Sequence, residues 1–167
     1  SMGGLYHYVG SKEEILRLLI EDLLKTWEAL LKKAGSSGHP SEVLASALSG
    51  WVRLTDSFRD MFLLTYREFP AFPRTVSDRL NRVDIGTVEM FQGIIDTGGK
   101  SGVFECQHSR LLARSIKELG DIWVLKRWDF KKYCTLEQYI RAHIEMTIKS
   151  LTSCEAPTGP VTSSVTD

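Results

Sequence analysis

Apolar residues recur along this chain with the period of a helix almost from end to end. Ile15, Leu16, Leu19, Ile20, Leu23, Leu24, Trp27, Leu30 and Leu31 define a first long helix, since that spacing keeps the side chains on one face. Ser11 and Glu14 stand before it as a capping box, hydroxyl and carboxylate each meeting an orphan backbone N–H. The breakers Gly35-Ser36-Ser37-Gly38-His39-Pro40 make a loop. Ser41 then caps a second helix with Leu44, Ala47, Leu48, Trp51, Leu54 and Phe58 inward. The short run Met61 to Tyr66 is nearly all apolar, which predicts burial on every side, and Pro70 and Pro73 break the chain after it.

The pattern then predicts a helix from Arg74 to Asp96, with Leu80, Val83, Thr87, Val88, Phe91, Ile94 and Ile95 on one side and Gly98-Gly99 and Gly102 as its stop. A helix from Ser109 to Phe130 follows and has two apolar faces. Leu112, Ile116, Leu119 and Trp123, continued by Arg127, form one; Leu111, Ile122 and Leu125 form the other. Thr135 caps a last helix with Leu136, Ile140, Ile144, Ile148 and Leu151. From Ser153 the chain is rich in Ser, Thr, Pro and Val without period, and 153–167 is expected to be disordered. No strand pattern occurs, so the class is all-α.

The start of the chain, Gly3-Gly4-Leu5-Tyr6-His7-Tyr8-Val9-Gly10-Ser11-Lys12-Glu13-Glu14-Ile15-Leu16, reads as a short helix, a tight turn and the capped start of a long helix. In that order the residues resemble the end of the helix-turn-helix in TetR-type transcriptional regulators. There a short recognition helix ending in Leu-Tyr-x-Tyr/His-Phe precedes Ser-Lys-Glu-Glu-Leu/Ile. Val9 stands where an aromatic is usual, and Gly4 where Thr or Ser is common.

The resemblance implies that Gly4, Tyr6, His7, Tyr8 and Lys12 belong to a DNA-binding surface. Tyr8 and Lys12 lie beside a helix N-terminus, where a phosphate is welcome; Tyr6 is read first as packing between helices. Ser1-Met2 reads as a tag-cleavage scar and 1–10 as the remnant of a reading head. Residues 11–152 would then be a ligand-binding and dimerisation domain.

Composition supports a sensor more than a nucleic-acid binder. Lys and Arg number 21, as do Asp and Glu, so this stretch has no net positive field to hold phosphate. The three cysteines, Cys106, Cys134 and Cys154, lack metal spacing and suggest free thiols in a reducing cytoplasm. The histidines His7, His39, His108 and His143 are scattered. Neither a metal nor a cofactor is expected, and no apolar run is long enough to cross a membrane.

An enzyme is not expected either. No Gly-x-Ser-x-Gly turn presents a nucleophile, and Gly98-Gly99-Lys100-Ser101-Gly102 lacks the earlier glycine and incoming strand of a phosphate loop. The Asp84/Glu89 and Glu118/Asp121 carboxylates read as solvated helix faces, and His143 as a hydrogen-bonded histidine between helices.

The aromatics leave two readings open. Trp27, Trp51, Phe58, Phe62, Tyr66, Phe91, Trp123 and Trp128 sit at helical spacing, as core residues do, or as the lining of a cavity with Arg67 and Arg127 at its mouth. Gly93-Ile94-Ile95 to Gly102-Val103-Phe104, then Gly120, Trp123, Arg127-Trp128 and Thr135-Leu136-Glu137-Gln138-Tyr139, resemble the branch of the TetR family that senses acyl-CoA thioesters.

That resemblance implies a dimeric repressor, held on operator DNA and released by a small apolar effector such as an acyl-CoA. Its ligand site would take Trp51, Phe62, Tyr66, Arg67, Phe91, Trp123 and Arg127. Its homodimer interface would take Leu111, Ile122, Leu125, Tyr139 and Met146. The alternative is a helical dimerisation module with no small-molecule ligand.

Overall fold

The computed structural model describes residues 38–152 and, before them, Leu18, Glu21, Asp22, Lys25, Thr26, Trp27 and Ala29, all helical. The Ser11 capping box and the tail 153–167 lie outside the described residues. Six helices follow from residue 38 on: α1 (Pro40–Ser57), α2 (Arg59–Glu68), α3 (Arg74–Lys100), α4 (Ser109–Leu125), the single-turn α5 (Arg127–Phe130) and α6 (Leu136–Thr152). A 3₁₀ turn, Phe69–Ala71, links α2 to α3. Among the described residues there is no strand.

Several helix ends differ from the sequence reading, each for a local reason. Ser41 is not the cap of α1: Pro40 occupies the first turn, its fixed φ suited to that position, and His39 precedes it without a side-chain cap. Helix α3 runs past Asp96 through Gly98-Gly99 to Lys100. Gly98 is there for closeness, because a Cβ would lie 2.0 Å from the Phe104 ring. The turn comes at Gly102, whose φ of 73° suits a residue without a Cβ.

The expected single helix from Ser109 to Phe130 is broken at Lys126, which leaves helical geometry (φ −116°, ψ 18°) before α5 begins. Thr135 does cap α6: its hydroxyl accepts from the Gln138 N–H at 3.2 Å, and the Gln138 side chain accepts from the Thr135 N–H at 2.8 Å. The run from Met61 to Tyr66 is not buried on all sides, since Leu63 and Tyr66 are 40% and 47% exposed.

Helix α4 is the centre, packed on α1, α2, α3 and α6. Trp51, Phe91, Trp123, Leu44, Leu48, Ile95, Ile116 and Leu151 are fully buried around it. Gly120 on α4 lets the Trp51 indole lie against the helix backbone, for a Cβ would meet the ring at 2.6 Å. The other edge of Trp51 meets Trp27 on the preceding helix, ring centres 4.7 Å apart, and Arg79 of α3 pairs with Glu21 of that helix at 3.0 Å. His143 is buried, but neither ring nitrogen has a hydrogen-bond partner of good geometry. The Ile116 backbone still acts on the ring, from outside that geometry, so the expected hydrogen bond is at most a weak one.

Candidate functional site

A cavity of about 270 Å³ opens between α1, α2, α3 and α4. Its apolar walls are Trp51, Met61, Phe62, Tyr66, Phe69, Leu80 and Val83, and its polar lining is Thr65, Asn81, Asp84, Lys117 and Asp121. The apolar set comes from one face each of α1, α2 and α3. Helix α4 supplies Lys117 and Asp121, one turn apart on its inward stripe beside Ile116 and Gly120, and α3 supplies Asp84.

These charges are tied together. The Lys117 ammonium donates to Asp121 at 2.7 Å and reaches Asp84 at 2.5 Å and Glu118 at 3.4 Å. Asp121, 1% exposed, also accepts from the Trp51 indole N–H and the Tyr66 hydroxyl, both at 2.9 Å. Asp84 binds Arg114 with its other oxygen at 2.5 Å, so these carboxylates are not solvated faces. The interior helix position forces pairing, because an isolated buried charge is too costly.

Protonation follows from this packing. Burial by itself pushes the Lys117 ammonium toward its neutral form, but Asp121 and then Asp84 outweigh it and hold it above the ordinary lysine range. Burial pushes the Asp121 carboxyl up against the pull of Lys117 and Tyr66. For Asp84 burial also acts upward, yet the hydrogen bonds from Lys117 and Arg114 prevail and keep it below the ordinary carboxylate range. Burial and then the Asp121 charge raise the Tyr66 hydroxyl, which stays a donor.

Of the residues assigned to a ligand site from sequence, Trp51, Phe62 and Tyr66 line this cavity. Phe91, Trp123, Arg67 and Arg127 do not. Phe91 is core, 0% exposed. Arg67 points outward to its neighbour Glu68 at 2.7 Å. The Trp123 N–H and Arg127 both donate to Asp56 at 2.9 Å, so the anion that meets Arg127 is one of the protein's own carboxylates, away from the cavity. Lys117, Asp84 and Asp121 were missed; a Lys–Asp pair four apart, its members directly after Ile116 and Gly120 of the inward stripe, was the available signal.

The residues read as a dimer face divide. Leu111 and Met146 are 66% and 57% exposed, Ile122 and Leu125 are half-buried, and the Tyr139 hydroxyl donates inward to the Leu119 carbonyl. Tyr139 also packs on Trp123 and Phe130, so much of it serves the subunit's own core. Gly4, Tyr6, His7, Tyr8 and Lys12 lie outside the described residues.

The described residues thus form an all-helical domain with a cavity beside the incoming helix. No protein-family model matches the chain. Over 159 residues, 95% of this chain and 69% of the relative, it is 24% identical to the HTH-type transcriptional regulator HbdR of Aromatoleum sp. (strain CIB). Its fold matches that of the TetR family regulator PfmR from Thermus thermophilus, with a TM-score of 0.76, 23% identity and coverage of 89% of this chain and 81% of that one. It also matches FadR from Bacillus subtilis, solved with stearoyl-CoA, at a TM-score of 0.68, 20% identity and coverage of 90% and 82%. The chain therefore shares the all-helical fold of these solved regulators and is similar in sequence to one HTH-type transcriptional regulator. All three of these proteins are transcriptional regulators.

Proposed function

We propose that the chain is the effector-binding and dimerisation part of a TetR-type repressor that acts in the cytoplasm. On this reading its effector is a coenzyme A thioester whose acyl group enters the cavity. The observation that carries this reading is the cavity's position. One of its walls, Trp51, rests on Trp27 of the incoming helix, and another, the α3 turn of Leu80 and Asn81, adjoins the Arg79–Glu21 pair to that same helix. Whatever fills the space presses on the element that would carry the reading head.

At ~30 Å³ per water-sized group, 270 Å³ holds about nine non-hydrogen atoms, suiting an acyl group of medium length. The stearoyl-CoA bound by the FadR neighbour supports a thioester as the class. The exposed Leu111 and Met146 support two-fold pairing through α4 and α6. A switch further requires the ligand to prefer the DNA-free form, since equal affinity would shift nothing. Among the described residues no helix is long and apolar enough to cross a membrane.

The test is thermal unfolding of the chain with octanoyl-CoA. Saturation at 100 times Kd should stabilise it by ~2.7 kcal/mol. The same compound should release a protein with a complete helix-turn-helix from its operator. No stabilisation by thioesters of four to twelve carbons would leave the dimerisation-only reading in front. Light scattering should report a dimer that Leu111→Glu disrupts, and a monomeric parent chain would refute the pairing.

A further inference from the structure

We propose that the cavity admits only an uncharged end of its ligand, and that Asp84 is the residue that turns carboxylates away. This rests on reading the cavity as the effector site and narrows what that site accepts. Three charged side chains line the space, Asp84, Lys117 and Asp121, beside the neutral Tyr66 hydroxyl. Two carboxylates face one ammonium, so the wall carries a net negative charge. Arg114 and Glu118 behind it add one charge of each sign and are paired at 3.2 Å.

The cation is fully used. Lys117 has three N–H donors, and three carboxylates stand within 3.4 Å of it. The arginines offer nothing in its place, since Arg67 meets Glu68 and Arg127 meets Asp56. A carboxylate entering the cavity would lose its water beside two acids and find no free positive partner among the described residues. A neutral ester, amide or thioester meets no such penalty. It also finds a partner: the Asn81 amide lines the cavity without a hydrogen bond among the described residues and can donate to a carbonyl oxygen. Acids would thus be sensed only once their carboxyl group has been condensed with a thiol, alcohol or amine.

Asp84 is the separable member of the wall. Asp121 also anchors Trp51 and Tyr66, whereas removing the charge of Asp84 leaves Lys117 with Asp121 and Arg114 with Glu118. Asp84→Asn therefore yields a neutral wall with the fold's other pairs intact.

The experiment is calorimetric titration of the chain with octanoate and with its uncharged N-acetylcysteamine thioester, which share one acyl group and differ in charge. The thioester should bind on the order of 100-fold more tightly, and Asp84→Asn should narrow the ratio about tenfold by admitting octanoate. Equal affinity of the parent chain for both compounds would overturn the proposal while leaving the cavity as the site. An unchanged ratio in Asp84→Asn would overturn the assignment to Asp84. Binding of neither compound would remove the effector-site reading and this one with it.

Discussion

Replacing Lys117 with Met tests the electrostatics at the centre of this fold. The side chain keeps nearly the same volume, so packing on Trp51 survives, but Asp121 loses its counter-charge while 1% exposed. Deleting one partner of a buried ion pair costs ~3–5 kcal/mol. The low end applies here, because the bonds from Trp51 and Tyr66, both at 2.9 Å, remain to support the carboxylate. At ~2–4 °C per kcal/mol for a chain of this size, a loss of about 3 kcal/mol lowers Tm by roughly 6–12 °C at pH 7.

The pH dependence carries its own sign. Burial already raises the Asp121 carboxyl, and without Lys117 its folded-state pKa rises further above the unfolded value. A group raised in this way stabilises the fold below its unfolded pKa, and that stabilisation is lost as pH climbs through the folded one. The Lys117→Met deficit relative to the parent should therefore shrink as pH falls from 7 toward 5. Circular-dichroism melts of both chains across that range provide the measurement. A Tm unchanged at pH 7, or a deficit that is the same at pH 5, would refute the buried pair as described.

Two further substitutions probe separate contacts. Gly120→Ala forces a Cβ to within 2.6 Å of the Trp51 ring and should cost ~1–3 kcal/mol of overpacking, read as a lower Tm and altered tryptophan fluorescence; an unshifted melt would mean Trp51 does not lie on α4. Burial lowers the His143 imidazole from 6.5 to about 4, opposed only in part by the Ile116 backbone. A depressed pKa confers stability above the unfolded value that is lost as pH falls, here between about pH 6.5 and 4 and worth up to roughly 3 kcal/mol. His143→Leu should flatten that part of the stability curve, and an identical acid decline in both chains would contradict it.

How much of this was written in the chain differs between fold and site. The helical period of residues such as Leu44, Leu48 and Trp51 or Ile140, Ile144 and Ile148 declares the helices and their inward faces, because burying an apolar stripe needs no knowledge of the partner. The Thr135–Gln138 box is likewise local and was legible. The break at Lys126 was not, since its neighbours continue the helical pattern and only the packing of Phe130 against Trp123 and Tyr139 turns the chain there. The same holds for α3 running through Gly98: the glycine reads as a stop until Phe104 is known to need the space of its missing Cβ.

The site divides in the same way. Trp51, Phe62 and Tyr66 stood out from sequence because large aromatics on short inward faces are conspicuous. Whether an aromatic fills a core or lines a cavity depends on what stands opposite, so Phe91 and Trp123 went to the core and Met61 and Leu80 to the cavity. Charge is the most dependent property of all. Arg127 and Lys117 are both cations on the inward side of α4–α5, yet Asp56 takes the first while Asp84 and Asp121 take the second. Asp56 and Asp84 come from helices distant in sequence, and only the tertiary structure, by bringing α1 and α3 against α4, decides which cation faces the cavity and which carboxylates of the chain hold it.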